Sequence, residues 1–454
     1  MKTLSLHTKL IAGALSLLAL SSPAVADDIL SVYRDALQND ASFAAARFGL
    51  EAGREQVVQA RSQLLPTVGL AANANQIVGL YDPGHAEPLM GIRKRNYHGT
   101  NAELAVQASQ PLYRPQNQVA VQQADSAVSL AELQYKAAGQ QLMLRVAQAY
   151  LDVLQARDAV TTAAAQKEAF SEQLAQAKKR FQVGVATITD TYEAQSRFDL
   201  TSAQEIAARN ELIVKTHALS QLTGKAPGWL ASVSQSMKPE LPAPPRLEAW
   251  LEKAAANNVA LQMQIEQEKV ARHEVERNKY AHKPTLDLVG SVSNSWDMNG
   301  MAKNGGTDST RNAAIGLQLN LPLYTGGALG SKDREAVAKY EQARMQTEAK
   351  RREVEQATKS AYLGTTNGAA QVAALEQALV SSQSQLDATK TGQQVGVRTN
   401  VDVLNAQQQY YEARFNLQKA RYGYLLASLN LAASAGELAE THLQSISRQL
   451  VDKQ

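Results

Sequence analysis

The feature that most constrains the fold is an internal duplication, because a repeated sequence predicts a repeated structural unit. The segment "QVGVATITD" begins at Gln182, and "QVGVRTNVD" begins at Gln394. Residues 182–195 and 394–407 are identical at eight of fourteen positions, at one fixed offset of 212 residues. Both segments centre on a glycine and reach an aspartate, which indicates one local structure made twice.

The duplication extends well beyond these segments. "LPTVGLAANAN" from Leu65 resembles "KPTLDLVGSVSN" from Lys283 at an offset of 218, and "QPLY" from Gln110 matches "LPLY" from Leu321 at an offset of 211. Between the two copies, residues 224–250 hold five of the 13 prolines, which is typical of an irregular connection. The predicted bounds are residues 27–225 for the first repeat, 226–246 for the linker and 247–454 for the second repeat.

The amino terminus has the pattern of a cleaved signal peptide, residues 1–26. Lys2 and Lys9 precede a short apolar run and then "SSPAVA", which resembles a cleavage site. The apolar run is far shorter than the roughly 20 residues that a membrane-spanning helix needs. Removal of this segment takes away two lysines and no acidic residue, so the formal net charge changes from +3 to +1. A nearly neutral chain gives no argument for nucleic-acid binding.

The sequence also lacks the patterns of an enzyme. With zero cysteines, disulfides, thiol catalysis and thiolate metal sites are excluded. "HEVER" at His273 lacks the second histidine of a zinc-protease motif, and neither a P-loop nor a G-x-S-x-G nucleophile motif occurs. We therefore expect no enzymatic activity, no metal and no cofactor.

Each repeat begins with a predicted helix, at about residues 29–64 and 247–280, and continues with two stretches of alternating pattern. Apolar residues there alternate with small or polar residues, which predicts a strand with one apolar and one hydrated face. The predicted strands cover residues 66–80, 102–113, 284–296 and 312–324.

Four such strands cannot form a closed structure by themselves. A sheet with one apolar face and two open edges has unpaired backbone groups, and about eight strands are needed for the smallest barrel that closes in a membrane. If the chain enters a membrane, it therefore does so as part of a closed β-barrel that two, three or four copies complete.

The remaining sequence predicts unusually long helices. No proline occurs between Pro115 and Pro227 or after Pro322. One helix over residues 116–182 would be roughly 100 Å long at the standard rise per residue. Its apolar positions are mostly alanine, which suits close packing of helices. This segment alone favours an ordinary coiled coil, such as a trimeric coiled-coil structural protein or adhesin without a pore, and the four strands argue against that alternative.

Across almost its whole length, the sequence resembles the TolC family of outer-membrane efflux and type I secretion channels. The resemblance is carried by "ARSQLLPTVGL", "QKEAFSEQLAQAKKRFQVGVATITDTYEAQSRFD", "HKPTLDLVGSVSNS", "LPLYTGG" and "VGVRTNVDVLNAQQQYYEARFNLQKARYGYL". It implies a homotrimer with a twelve-stranded transmembrane β-barrel in the outer membrane and a long α-helical tunnel of coiled helices in the periplasm. It also implies a periplasmic adaptor and an inner-membrane ABC or RND transporter as partners.

The duplicated segments are predicted to be the tips of helical hairpins. We define the first tip as residues 182–190 and the second tip as residues 394–402. In the first, Gly184 has the position of a left-handed helix stop, and Thr187 and Asp190 have the spacing of a capping box. Thr399 and Asp402 repeat that spacing, so helix capping alone is a sufficient explanation of both aspartates.

The resemblance adds a second role for these residues. In the family, the residue matching Asp402 lines the closed entrance, so three copies would give a ring of carboxylates that favours cations and raises its own pKa values. Thr189, Asp190 and Arg398 match positions that connect neighbouring hairpins and keep the entrance shut. Asn405 stands where the family pattern has a second aspartate, which implies one carboxylate per chain instead of two.

Two further implications concern the tips. Gln393 stands where the family pattern has a tyrosine, so one of the hydrogen bonds that close the entrance is in doubt. The glycines of both tips and the valines beside them match positions that contact the periplasmic adaptor, although helix capping explains the glycines equally well. These six residues are Val183, Gly184, Val185, Val395, Gly396 and Val397.

Overall fold

The computed structural model describes residues 27–81, 95–234, 236–298 and 307–451, so the predicted signal peptide lies outside the described residues. The helices are α1 (Ile29–Asn39), α2 (Ala41–Ser62), α3 (Pro115–Gln182), α4 (Ile188–Thr223), α5 (Leu247–Asn257), α6 (Val259–Tyr280), α7 (Ala328–Gln394), α8 (Asn400–Ser434) and α9 (Glu440–Ser447). The strands are β1 (Thr67–Tyr81), β2 (Arg95–Tyr113), β3 (Ser232–Val233), β4 (Thr285–Met298), β5 (Thr307–Asn320) and β6 (Leu450–Val451). Over the described residues, none of these helices combines the length and the hydropathy needed to span a membrane.

The long strands form one antiparallel sheet in the order β1-β2-β4-β5. Leu70 lies opposite Val106, and Val106 lies opposite Val292, so the three share one face. Because side chains alternate along a strand, this register leaves Ile77 on the opposite face but collects most of the large exposed apolar residues on a single face. They are Val68, Leu70, Val78, Leu80, Leu104, Val106, Leu288, Val292, Ile315, Leu317 and Leu319. The opposite face is mainly polar, with residues that include Asn73, Asn101, Glu103, Gln107, Ser291, Ser293, Asn312 and Gln318.

The strand ends differ from those expected from the alternating pattern. β2 begins at Arg95 rather than 102, and β5 begins at Thr307 rather than 312, because polar residues pair there with a neighbouring strand. The expected end of the fourth strand, at 324, is wrong, since β5 ends at Asn320. Pro322 has no backbone N–H to donate and constrains the residue before it, so the ladder stops there.

The predicted single helix at the start of each repeat is also wrong. Asp40 separates α1 from α2 with an extended ψ of 114°, and its carboxylate accepts a hydrogen bond from the Phe43 N–H at 2.7 Å. Asn258 separates α5 from α6 in the same way, with a ψ of 120° and a side-chain oxygen 3.0 Å from the Leu261 N–H. Each residue caps the helix that follows, and the two positions correspond in the two repeats.

The described chain divides into two compact units. The second unit, residues 48–134 and 262–350, contains the four-stranded sheet and the helical segments that adjoin it. Its helices approach closely at Gly53, where an added Cβ would lie 2.7 Å from the Cβ of Ala131. At the base of the sheet, the Arg114 guanidinium donates two hydrogen bonds to the Asp287 carboxylate, at 2.8 and 2.7 Å.

The first unit consists of residues 27–47, 135–261 and 351–451 of the described chain. Its largest hydrophobic core packs α1 against the long helices, with Tyr150 fully buried at the centre. The Tyr150 hydroxyl lies 2.8 Å from the Ala231 carbonyl oxygen, to which it donates a hydrogen bond. The segment expected to be an irregular linker contains β3, which pairs with β6 near the carboxyl terminus.

Candidate functional site at the helical tips

Both tips reverse the chain by the same local rule. In the first, α3 ends at Gln182, Gly184 takes a left-handed φ of 76°, and the Val185 N–H donates to the Arg180 carbonyl at 2.9 Å. In the second tip, Gly396 has a φ of 83°, and the Val397 N–H donates to a carbonyl of the preceding turn at 2.9 Å. The predicted left-handed glycine stop is confirmed, and these bonds satisfy carbonyls at each helix end.

The two predicted capping boxes are also confirmed. At the first tip, the Thr187 N–H donates to the Asp190 carboxylate at 3.0 Å, and the Asp190 N–H donates to the Thr187 hydroxyl oxygen at 3.2 Å. At the second tip, the corresponding Thr399 and Asp402 distances are 2.9 and 3.2 Å. The reciprocal bonds fix the first turns of α4 and α8, so both aspartates have a local structural role.

Within one chain, the surroundings of Asp402 lower its pKa, whereas a ring of carboxylates is expected to raise it. The backbone N–H and the hydroxyl of Thr399 donate to its carboxylate, and with the positive charge of Arg398 they lower the pKa of Asp402. A ring of like charges would raise that pKa. The ring belongs to an assembly of chains, so its effect stays a prediction, and any repulsion would first have to offset these donors.

The six residues expected to meet an adaptor form the outermost surface of each tip. Val183 and Val185 are 72% and 65% exposed, and Val395 and Val397 are 69% and 76% exposed. Among the described residues, apart from each glycine and its two chain neighbours, no atom lies within 4 Å of the position where a Cβ would be added at Gly184 or Gly396. Each tip therefore presents an exposed apolar pair on either side of bare backbone, which another backbone could approach closely.

The other residues expected at the entrance lie in different surroundings. Gln393 is only 8% exposed, and its amide donates to the Asn400 side-chain oxygen at 3.1 Å, so it stabilises the turn of its own tip. Arg398 and Thr189 are exposed. Within the described part of one chain, neither residue forms a hydrogen bond with Asp190. The expected contact is one between neighbouring hairpins, so it stays a prediction.

Sequence reasoning missed Arg197, which connects α4 to α8. Its guanidinium lies 3.2 Å from the Asn405 side-chain oxygen and also donates to the Gln408 side-chain oxygen. Glu193, one turn earlier on α4, accepts a third hydrogen bond at 3.1 Å. Arg197 corresponds to Gln409 in the other repeat, so the duplication carries no sign of this contact, and its partners lie more than 200 residues away along the chain.

Behind this contact, the helices pack through a small hydrophobic cluster. Leu404 of α8 is fully buried against residues of α3 and α4. The cluster consists of Phe170, Leu174, Ala177, Ala194 and Leu404, with Phe198 at its edge. Among the described residues, no group of three or more histidine, aspartate or glutamate side chains is arranged to hold a metal ion.

Comparison with known proteins places this architecture in a family. The family model described as "Outer membrane efflux protein" matches residues 32–225 and 250–437. The outer membrane protein TolC of Vibrio cholerae is 34% identical over 94% of this chain and 94% of its own length. The proteases secretion protein PrtF of Dickeya chrysanthemi is 31% identical over 92% of this chain and 90% of its own length.

A solved structure agrees in fold. The Campylobacter jejuni CmeC outer membrane channel superposes with a TM-score of 0.77 at 15% identity, covering 93% of this chain and 89% of that channel. The architecture of long helices with one four-stranded sheet is that of outer-membrane channels, which confirms this part of the predicted fold class. The trimeric twelve-stranded barrel stays a prediction.

The chain belongs to the outer membrane efflux protein family. The predicted resemblance is therefore confirmed, as is the predicted class of function, an outer-membrane channel for efflux or type I secretion. The predicted outer-membrane localisation is also confirmed. The family is one of channels rather than enzymes.

Proposed function

We propose that three copies of this chain form an exit duct that crosses the outer membrane and continues into the periplasm. The observation that carries the proposal is the four-stranded sheet, which has one exposed apolar face and two open edges, β1 and β5. An open edge is a template for pairing with another strand, so β5 of one copy can pair with β1 of the next. Three copies then give twelve strands with the apolar faces toward lipid and the polar faces toward the lumen.

The tips form the periplasmic entrance in this proposal. Two tips in each of three copies give six around one opening. Asp190 and Arg398 are exposed enough to meet across neighbouring hairpins in a charge-assisted hydrogen bond, with Thr189 beside them. Asp402 supplies one carboxylate per chain to the lining, and Asn405 adds none, so the entrance favours cations through a single ring.

The partners act at the outer surface of the same tips. The exposed valines and bare glycines at 183–185 and 395–397 fit the end of a helical hairpin from a periplasmic adaptor. Such an adaptor connects the duct to an inner-membrane transporter of the ABC or RND type, which supplies the energy.

Recording from the purified protein in a planar lipid bilayer tests the duct directly. We expect discrete cation-selective conductance steps, which become larger when the entrance contacts are removed by Arg398→Ser and Asp402→Ala. A well-folded protein that gives no conductance, even with both substitutions, would contradict the duct and favour a non-conducting trimeric coiled-coil protein or adhesin.

The transported substrate is tested in cells. Relatives include a channel named for efflux and one named for protease secretion, so both kinds of substrate fit the proposal. Deletion of the gene, followed by assays of secreted proteins and of drug susceptibility, separates them. Loss of secreted protein with unchanged drug tolerance would remove efflux, and the reverse result would remove type I secretion.

A further inference from the structure

We propose that Arg197 is a positioning residue of the periplasmic entrance, which holds the first turns of α8 against α4 within one chain. We call Arg197, Asn405 and Gln408 the Arg197 clamp. The proposal rests on the proposed duct and its entrance at the tips. It concerns a contact inside each chain, distinct from the contact between Asp190 and Arg398 of neighbouring hairpins.

The geometry of the guanidinium supports this role. Glu193 binds Nε at 3.1 Å from one turn away on the same helix, which fixes the orientation of the side chain. The two remaining nitrogens then point at α8, where Asn405 and Gln408 lie on one face because they are three residues apart. One side chain of α4 thus binds two acceptors on α8, as a planar fork can and an ammonium group cannot.

The chemistry of the acceptors makes the clamp reversible. Both are neutral amide oxygens, and both residues are exposed, so water can replace the guanidinium when α8 moves away. A carboxylate at the same place would give a charge-assisted bond of roughly twice the strength. The clamp therefore stabilises the packed position of α8 without making it permanent.

Close to the clamp along both helices, two buried polar atoms have no hydrogen-bond partner among the described residues. Gln407 is 3% exposed, and its side-chain oxygen has no hydrogen-bond partner among the described residues. The hydroxyl of Thr191, on the facing helix, is likewise buried without a partner. Because buried polar groups without partners favour exposure to water, they offset part of the stability of the helix packing around them, whereas the clamp and the small cluster around Leu404 join α8 to α4.

Bilayer recording of the full-length protein tests the clamp. We expect Arg197→Ala to raise the ratio of open to closed states about fivefold, which corresponds to the loss of about 1 kcal/mol of net hydrogen bonding. Arg209→Ala is the matched control, because Arg209 lies on the same helix and bonds Glu205 of that helix. It removes the same charge and should leave the ratio unchanged. Arg197→Lys should give an intermediate ratio, since it keeps the charge but cannot bind both amides.

A substitution on α8 should change the open-to-closed ratio in the opposite direction to Arg197→Ala. Asn405→Asp places a carboxylate beside the guanidinium and should lower the open-to-closed ratio, and this effect should disappear in an Arg197→Ala background. Equal ratios for Arg197→Ala and Arg209→Ala, or an Asn405→Asp effect that is independent of Arg197, would overturn the proposal. If Arg197→Ala does not assemble, the Asn405→Ala/Gln408→Ala variant, which keeps Arg197 bound to Glu193, decides in its place. Absence of any conductance from the unsubstituted protein would instead contradict the proposed duct.

Discussion

Two opposing influences act on the Asp402 carboxylate. Inside one chain, the donors of the capping box and the charge of Arg398 lower its pKa. In a trimer, two further carboxylates at the same entrance would raise it. Its twin Asp190 has the same capping box, but Ala186 stands where the second tip has Arg398. The two tips are therefore alike in backbone and different in charge.

Arg398→Ala is expected to raise the pKa of Asp402 toward that of an ordinary aspartate. A folded-state pKa that is lowered contributes stability above the unfolded-state pKa, and this contribution is lost as the pH falls through the folded-state value. In the unsubstituted protein, the capping box of α8 should thus persist at mildly acidic pH. In the variant, it should be lost at a higher pH than in the unsubstituted protein. Carbon NMR of labelled aspartate carboxyls in the full protein measures this. A pKa for Asp402 above the ordinary range would show that repulsion within the ring outweighs the capping donors.

Left-handed glycines of similar φ should differ greatly in their tolerance of alanine. Gly396 has open space around it, so Gly396→Ala should lower the free energy of unfolding by about 1–2 kcal/mol through backbone strain alone. Gly436 has a similar φ of 74°, but an added Cβ would collide with the Asn257 carbonyl oxygen. Gly436→Ala should therefore cost about 3 kcal/mol or more, because overpacking adds to the strain. Thermal unfolding followed by circular dichroism compares the two, and equal losses would contradict the steric argument.

The long helices contain no interruption, whereas one polar residue interrupts the helical segment at the start of each repeat and leaves shorter helices there. α3 runs for 68 residues without a break, whereas α1 ends after 11 residues at Asp40. Neither Asp40 nor Asn258 is a proline or a glycine, so no strong breaker marks the two interruptions in the sequence. The side chain of each bonds an N–H of the next helix, and the surrounding core fixes the bend.

Asp40 has a second interaction besides capping, because its carboxylate also binds the Arg145 guanidinium at 3.0 and 3.1 Å. Asp40→Ala should lower the free energy of unfolding by about 2–3 kcal/mol, through loss of the cap and of an ion pair in which the carboxylate is buried and the guanidinium is half-exposed. Asp40→Asn keeps a capping oxygen and should cost only about 1 kcal/mol. Denaturant unfolding of the two variants provides the measurement, and equal losses would assign the whole effect to the ion pair, which both variants lack.

In the proposed assembly, the two faces of the sheet would meet different solvents. Leu317 lies on the apolar face and is 65% exposed in the single chain, whereas its neighbour Gln318 lies on the polar face. The exposure of Leu317 has no explanation in a single chain surrounded by water. It is explained if lipid covers that face.

Leu317→Arg should therefore destabilise the membrane-inserted protein by about 2–4 kcal/mol, as a charge facing the middle of a bilayer does. Gln318→Arg introduces the same side chain one residue away, on the face proposed to line the lumen, and should be tolerated. The yield of protein in purified outer membranes and its thermal stability in detergent measure both effects. A lower yield for Gln318→Arg than for Leu317→Arg would assign the faces the other way round.

Much of the structure of the two tips was predictable, because their backbone obeys rules that act over three or four residues. A left-handed glycine and a threonine three residues before an aspartate determine a helix stop and a helix start wherever they occur. The duplication then showed that the same structure is made twice. The strand ends were less predictable, since Thr307 and Asp308 join β5 only through pairing with β4.

The sequence by itself thus determined the repeated plan, the uninterrupted long helices, the alternating strands and the local geometry of both tips. Tertiary structure alone decided that Arg197 meets Asn405, that Gln393 turns inward to Asn400, and that the apolar residues of four strands share one face. The physical reason is the range of the interactions. Capping bonds join residues three apart and follow from spacing, whereas contacts between distant helices and strands depend on how the elements pack, which no local pattern encodes.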